Sequence, residues 1–145
     1  MIIKTIVFMA SLLKKFTYQT KVYYEDTDAG GIVYYANYLK YFERARTELI
    51  YSLGYSHKEL SEKFNVNIVV HKFSITYKKS FKFEDKVTIE TFVGKVSNLR
   101  IEMIQNALRD KDLVAEAAVE LVIIDDTGKP KIIPQDLKEK LNSCI

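Results

Sequence analysis

Two aspartates stand two residues apart in the segment Asp26-Thr27-Asp28-Ala29-Gly30-Gly31, and a long apolar-faced helical pattern begins soon afterwards, near Tyr34-Tyr35-Ala36. Composition alone makes the segment a solvated turn. The Asp-x-Asp spacing also invites a calcium reading, which fails. In an EF-hand loop the fifth position would be Gly30 and the twelfth Asn37, where a side-chain ligand and a bidentate Glu are needed, and no helix precedes. A third reading uses the helix beyond the turn. The first-turn N–H groups of a helix are unpaired, and its macrodipole makes that end electropositive. A carboxylate there has the parts for acyl transfer: the N–H groups polarise a carbonyl oxygen, and the acid attacks or activates water. Asp28 is the candidate carboxylate.

The other chemistry-bearing residues read more plainly. His57 opens a short helical pattern and His71 lies inside a strand pattern, which suits packing or solvent contact for both. With two histidines and one cysteine, and no ligand spacing, no metal site is expected. Cys144 is next to the C-terminus, too close to be held in a catalytic geometry. Glu43 and Arg46 stand at i, i+3 on a helix and read as a structural salt bridge. Tyr34, Tyr38 and Tyr41 read as core or pocket wall, with hydroxyls that find partners. Gly-x-Ser-x-Gly, Gly-x-Gly-x-x-Gly and P-loop patterns are absent, so serine-hydrolase, dinucleotide and nucleotide-triphosphate readings lack support.

The elements that must position Asp28 are set by hydrophobic periods. Thr17 to Tyr24 alternates and predicts a strand running into the Asp/Gly turn. Tyr38, Phe42, Ala45, Leu49 and Leu53 recur on one face of a helix roughly 25 Å long. Asn37 suits its N-cap and Gly54 the left-handed position that ends it. Ser56-His57-Lys58-Glu59 matches a capping box opening a short helix to about Phe64. Four long strands are then predicted: Val66 to Tyr77, Lys86 to Val96, Leu99 to Leu108 and Leu113 to Ile124. Val87, Ile89, Thr91 and Val93 share one face of the second; Leu99, Ile101 and Met103 share one face of the third. In the fourth, Ala115, Ala117, Val119, Leu121 and Ile123 point inward. Pro134 opens a last short helix. Helical crossovers do not alternate with the strands, so the class is α+β: an antiparallel five-stranded sheet wrapped around one long helix, the hotdog fold. Long unpaired strand edges imply oligomerisation.

The bulk numbers set bounds. The 145 residues suit one domain, and 48% hydrophobic with 28% charged residues describes a soluble globular chain. A net charge of +3 helps attract a small anion and is too dispersed for nucleic acid. A single cysteine excludes an intrachain disulfide framework and suits a reducing compartment, the cytoplasm. The apolar N-terminus is too short to span a bilayer and lacks a clear cleavage site. Residues 1–16 are read as an N-terminal extension, with Met9 as an alternative start, and residues 17–145 as one domain.

One stretch is long enough to carry a family resemblance. Val22-Tyr23-Tyr24-Glu25-Asp26-Thr27-Asp28-Ala29-Gly30-Gly31-Ile32-Val33-Tyr34, with Asn37-Tyr38 and Glu43-Arg44-Ala45-Arg46-Thr47-Glu48, resembles the signature of 4-hydroxybenzoyl-CoA thioesterase-type hotdog enzymes. It is most similar to the bacterial acyl-CoA thioesterase branch encoded beside the Tol–Pal envelope system, over about residues 17–140. The resemblance implies hydrolysis of acyl-CoA thioesters without metal or cofactor, coenzyme A arriving with the substrate. It implies Asp28 as nucleophile or general base, and the Tyr35 backbone N–H as donor to the thioester oxygen. The nearest branch commonly carries His where Tyr35 stands; a backbone donor survives any side chain except Pro. The family holds coenzyme A phosphates with basic residues at the hairpin matching Ser97-Asn98-Leu99-Arg100. Here Arg100 and Lys95 are the candidates, with Lys129 and Lys131 behind them. A homodimer or homotetramer is implied, with the site at a subunit boundary. The rival reading is a low-turnover binding or scaffold protein that engages acyl carrier protein or envelope machinery. A dehydratase on the same fold would pair a histidine with an acid, and neither His57 nor His71 stands in such a motif.

Overall fold

The computed structural model describes residues 14–145. In chain order these form strand β1 (Phe16–Lys21), two 3-10 turns (Tyr24–Asp26 and Tyr35–Asn37), helix α1 (Tyr38–Ser52) and helix α2 (His57–Phe64). Strands β2 (Asn67–Tyr77), β3 (Lys86–Val96), β4 (Arg100–Arg109) and β5 (Asp112–Ile124) come next, and helix α3 (Gln135–Asn142) ends the chain. The strands make one antiparallel sheet in the order β1-β3-β4-β5-β2. Its inward face is the one the alternation predicts. Val87, Ile89, Thr91 and Val93 are each at most 1% exposed, and Ala115, Ala117, Val119, Leu121 and Ile123 are all buried. Helix α1 lies across that face and buries Tyr38, Phe42, Ala45 and Leu49, joined by Tyr41, Arg46 and Ile50. Bulges between Val70 and Lys72, Val93 and Lys95, and Ala107 and Leu108 bend the strands. Bends of this kind let a sheet curl around a helix, and the result is the expected hotdog architecture.

Several boundaries move, each for a local reason. Phe16, assigned to the extension from sequence, begins β1 and pairs with Thr91. Residues 1–13, with the proposed alternative start at Met9, lie outside the described residues. Strand β1 stops at Lys21 rather than Tyr24 because the Asp26 carboxylate accepts from Tyr23 N–H at 2.9 Å and coils the chain into the first 3-10 turn. Leu99 does not face inward: Ser97 N–H donates to the Arg100 carbonyl, so Leu99 sits in the β3–β4 turn, 39% exposed. Gly54 takes the left-handed φ of 89° that ends α1, and the Lys140 ammonium of α3 donates to the Leu53 carbonyl there. At α2, Ser56 Oγ accepts from Glu59 N–H at 3.0 Å, the first half of the expected box; the Glu59 carboxylate turns to Lys63 instead.

The sheet has two edges, β1 and β2. Along β2, an eleven-residue strand, Val69, Val70 and Tyr77 are exposed. Among the described residues no helix is long and apolar enough to cross a membrane.

Candidate functional site

Between β1 and α1 the chain folds into a small hairpin. Thr27 bridges Val33, Asp28 N–H donates to the Ile32 carbonyl at 2.8 Å, and Tyr34 N–H donates to the Asp26 carbonyl at 2.9 Å. Gly31, at φ 78°, closes the tip by donating to the Asp28 carbonyl. Asp28 therefore stands one rung from Asp26 and two residues from the rung of Tyr34, roughly 7 Å along the hairpin. Its Oδ1 accepts from Gly30 N–H at 2.8 Å. A Cβ at residue 30 would meet that oxygen at 3.2 Å, so glycine leaves room for the contact. The rest of the Asp28 carboxylate is exposed to solvent.

The hairpin feeds directly into the 3-10 turn Tyr35–Asn37 and then α1. Tyr35 and Ala36 thus open the helical run, and among the described residues neither N–H donates to a protein acceptor. Those donors, together with the macrodipole, make an electropositive pole at the end of the hairpin that carries Asp28. The Asp28 charge is also felt at Tyr34, whose hydroxyl is held above its ordinary value by the Tyr35 hydroxyl first, then by loss of solvent, and last by Asp28. The structure thus brings Asp28 and Tyr35 together on one short loop.

Asn37 does not act as the expected cap. Its side chain donates to the Asp26 carbonyl at 2.9 Å instead of accepting from first-turn N–H groups. Asp26, left by the sequence as a turn residue, is the joint that holds the loop. It is 6% exposed; its carbonyl accepts from Tyr34 N–H and Asn37 Nδ2, and its carboxylate from Tyr23 N–H. Asn37→Ala is expected to cost about 1 kcal/mol of stability. It should also lower turnover more than it raises KM, since what loosens is the spacing of carboxylate and donors; denaturation midpoints and steady-state kinetics check it. Tyr77, at the end of β2, was also missed: its hydroxyl donates to the Tyr35 carbonyl at 2.8 Å and ties the turn to the sheet. Their separation of 42 residues leaves no local pattern to read. Tyr38 finds the partner expected of it, its hydroxyl accepting from Phe81 N–H at 3.2 Å. The Tyr41 hydroxyl does not: it lies by the Asp26 carboxylate without hydrogen-bond geometry, and burial first, then Asp26, pushes it well up.

Arg100 and Lys95 are not beside Asp28. They lie where β4 begins and β3 ends, whereas the hairpin meets the sheet where β3 begins, through Val33 N–H to Phe81 O and Val22 N–H to Asp85 O. From Val87 to Lys95 is roughly 26 Å along the strand. Arg100 is engaged by Glu120 across the sheet. Both cations are exposed strand-end charges within one protomer.

A second polar group lies beneath α1. Arg46, 9% exposed, donates through Nη1 to Gln105 Oε1 at 2.9 Å. Gln105, fully buried, donates in turn to the Phe42 carbonyl at 3.0 Å and Thr91 Oγ1 at 2.9 Å. The expected Glu43–Arg46 salt bridge does not form; Glu43 takes the Thr47 hydroxyl at 2.8 Å instead, and Arg46 turns inward. Beside Arg46 is a cavity of about 120 Å³ that reaches His57. Burial holds the His57 imidazole below its ordinary value, against Glu43 and with help from Arg46. The unfolded chain then binds a proton first as pH falls through about 6.5. Stability is therefore full above that pH and declines below it until the folded imidazole also protonates. His57→Phe should flatten this slope in denaturation midpoints taken from pH 5 to 8.

With this geometry in place, relatives are informative. The family described as the thioesterase-like superfamily matches residues 22–141. The acyl-CoA thioesterase YbgC of Haemophilus influenzae is 37% identical over 124 residues, covering 85% of this chain and 91% of the relative. The DHNA-CoA thioesterase of Staphylococcus aureus superposes with a TM-score of 0.82 at 30% identity, covering 89% of each chain. A probable thioesterase from Bartonella henselae gives 0.80 at 30% identity, covering 83% of this chain and 99% of that one.

Proposed function

The chain belongs to the thioesterase-like superfamily, and from that premise we propose that it hydrolyses acyl-CoA thioesters at Asp28. The observation that carries this is the hairpin, which holds an exposed carboxylate roughly 7 Å along the chain from a helix start whose first two N–H groups donate to no protein acceptor among the described residues. An acyl-CoA places its thioester carbonyl oxygen on the Tyr35 amide. Asp28 then attacks the carbonyl carbon, expelling coenzyme A thiolate and leaving an aspartyl anhydride that water opens. Alternatively it takes a proton from a water that attacks in its place. In both routes the negative charge grows on the oxygen facing the Tyr35 donor, where preorganised dipoles act most strongly. The Tyr35 side chain is spared from proton transfer, so Tyr in place of His leaves this scheme intact.

Assembly supplies what one protomer lacks. Pairing of two β2 edges about a two-fold axis is antiparallel. It brings one protomer's Arg100 and Lys95 end alongside its partner's Asp28 end, so these cations meet the coenzyme A phosphates across the boundary. The exposed Val69, Val70 and Tyr77 are buried by the same pairing. The test is thiol release from a panel of acyl-CoAs, run with sedimentation of the unmodified chain. Thiol release above background with a dimer or tetramer is expected. No release from any acyl-CoA would overturn the activity, and an active monomer would overturn the shared site.

A further inference from the structure

Helix α1 and strand β2 run past one another in opposite directions, and three contacts fix the alignment. The Tyr77 hydroxyl bonds the Tyr35 carbonyl at one end. The Phe42 and Phe73 rings pack midway, with centroids 5.8 Å apart. Arg46, Thr47 and His57 face Val70 around the 120 Å³ cavity at the other end. Between them α1 does not fully cover its side of β2. Phe73 and Ile75 remain partly exposed, and Leu39 of α1 is 45% exposed. An apolar track therefore leads from the Tyr35 donors down the open side of α1 and stops at a charged pocket.

The end of that track is unusual. Arg46 is nine-tenths buried and pairs with no carboxylate; its one hydrogen bond among the described residues goes to a neutral amide oxygen. A guanidinium carries five N–H donors, so several of them have no partner where the side chain lines the cavity. Burying a charge in this state costs stability, and hydrocarbon alone would not compensate it. Glu43, on the rim, is exposed and already holds Thr47. Its repulsion of an anion is screened by water, whereas the Arg46 field acts in a lower dielectric and is several-fold stronger at equal distance.

We propose that this track holds the acyl chain and that Arg46 binds a carboxylate at its far end, so that the substrates include ω-carboxyl acyl-CoAs. The proposal rests on the thioesterase reading and specifies its substrate. From Tyr35 to Arg46 is eleven helical residues, roughly 16 Å, the reach of an extended acyl chain of about a dozen carbons. The larger cavity, of about 450 Å³, includes Lys72, Ser74, Glu102 and Glu120 on the sheet's other face, away from Asp28, and has no part in this path.

The experiment compares dodecanoyl-CoA with its ω-carboxyl counterpart, dodecanedioyl-CoA, in wild type, Arg46→Met and Arg46→Lys. Wild type should favour the dicarboxylic substrate by about tenfold or more in kcat/KM, the scale of one charge-assisted hydrogen bond. Arg46→Met should lose that preference and Arg46→Lys retain part of it. Equal rates for the two substrates in wild type, or a preference that survives Arg46→Met, would overturn the proposal. The unmodified protein carries the first comparison, so a variant that fails to fold leaves it decidable. Calorimetry with two thioethers that cannot be hydrolysed, S-dodecyl-CoA and S-(11-carboxyundecyl)-CoA, separates binding from chemistry. Tighter binding of the carboxylated thioether without thiol release from either ester would overturn the hydrolase reading and leave the pocket standing. Equal binding of the two would overturn the pocket.

Discussion

Asp28→Asn and Asp28→Ala are each expected to lower thiol release from acyl-CoA by about 10²–10⁴-fold, the range for loss of one acid–base group. A loss is expected whether Asp28 attacks or activates water, because both routes need its carboxylate oxygen. Stability should hardly change, by about 0.5 kcal/mol or less. The carboxylate is exposed and makes one hydrogen bond, from Gly30 N–H, which the amide oxygen of Asn can also accept. The hairpin itself is held by backbone bonds and by Asp26. Matched denaturation midpoints with a collapsed kcat would therefore assign the loss to chemistry. Retained turnover in both variants would remove Asp28 from the mechanism. A burst of thiol ahead of acid release in the wild type would select the anhydride route.

How far the sequence could be read depends on how local each contact is. Period-two alternation placed β3 and β5 because every second residue meets the same core. The α1 stripe was legible for the same reason at a period of 3.6 residues. Asp28 needed more: composition made it a turn residue, and only its distance from a helix start, sharpened by a family signature, suggested chemistry. The residues that build the loop escaped because their partners are not periodic. Asn37 looked like a cap by type, yet its amide reaches back eleven residues to Asp26. Gln105 has nothing local to mark it within its strand pattern, yet it joins three elements through side-chain bonds spanning 14 to 63 residues. Arg46 looked like a surface partner for Glu43, because spacing on a helix cannot show which of two neighbouring residues the sheet will cover. Arg100 and Lys95 were grouped with the site by family pattern; strand register puts them at the far end of the sheet, a distance visible only once the strands are paired.

Gln105→Leu should cost about 3–5 kcal/mol, a large part of the 5–15 kcal/mol that holds a domain of this kind together. Leucine fills much of the same volume and is apolar, so on burial alone the change would be mild. What decides the outcome is the group left behind. Arg46 would lose its only acceptor among the described residues while staying under α1, and a stranded buried charge costs far more than one hydrogen bond returns. Thr91 Oγ1 would lose its donor in the same step. Gln105→Glu separates the contributions: it gives Arg46 a carboxylate but removes the Nε2 donor to Phe42 and Thr91. Its stability at neutral pH should fall between wild type and Gln105→Leu. The double variant Arg46→Met/Gln105→Leu should recover most of the loss, since charge and acceptor leave together. Urea denaturation of wild type, Arg46→Met, Gln105→Leu and the double variant measures the coupling. Simple additivity of the single changes would show that the Arg46–Gln105 bond does not hold α1 to the sheet. Strong coupling would mean that the charge at the end of the acyl track is also what fixes the helix whose first turn carries the Tyr35 donor.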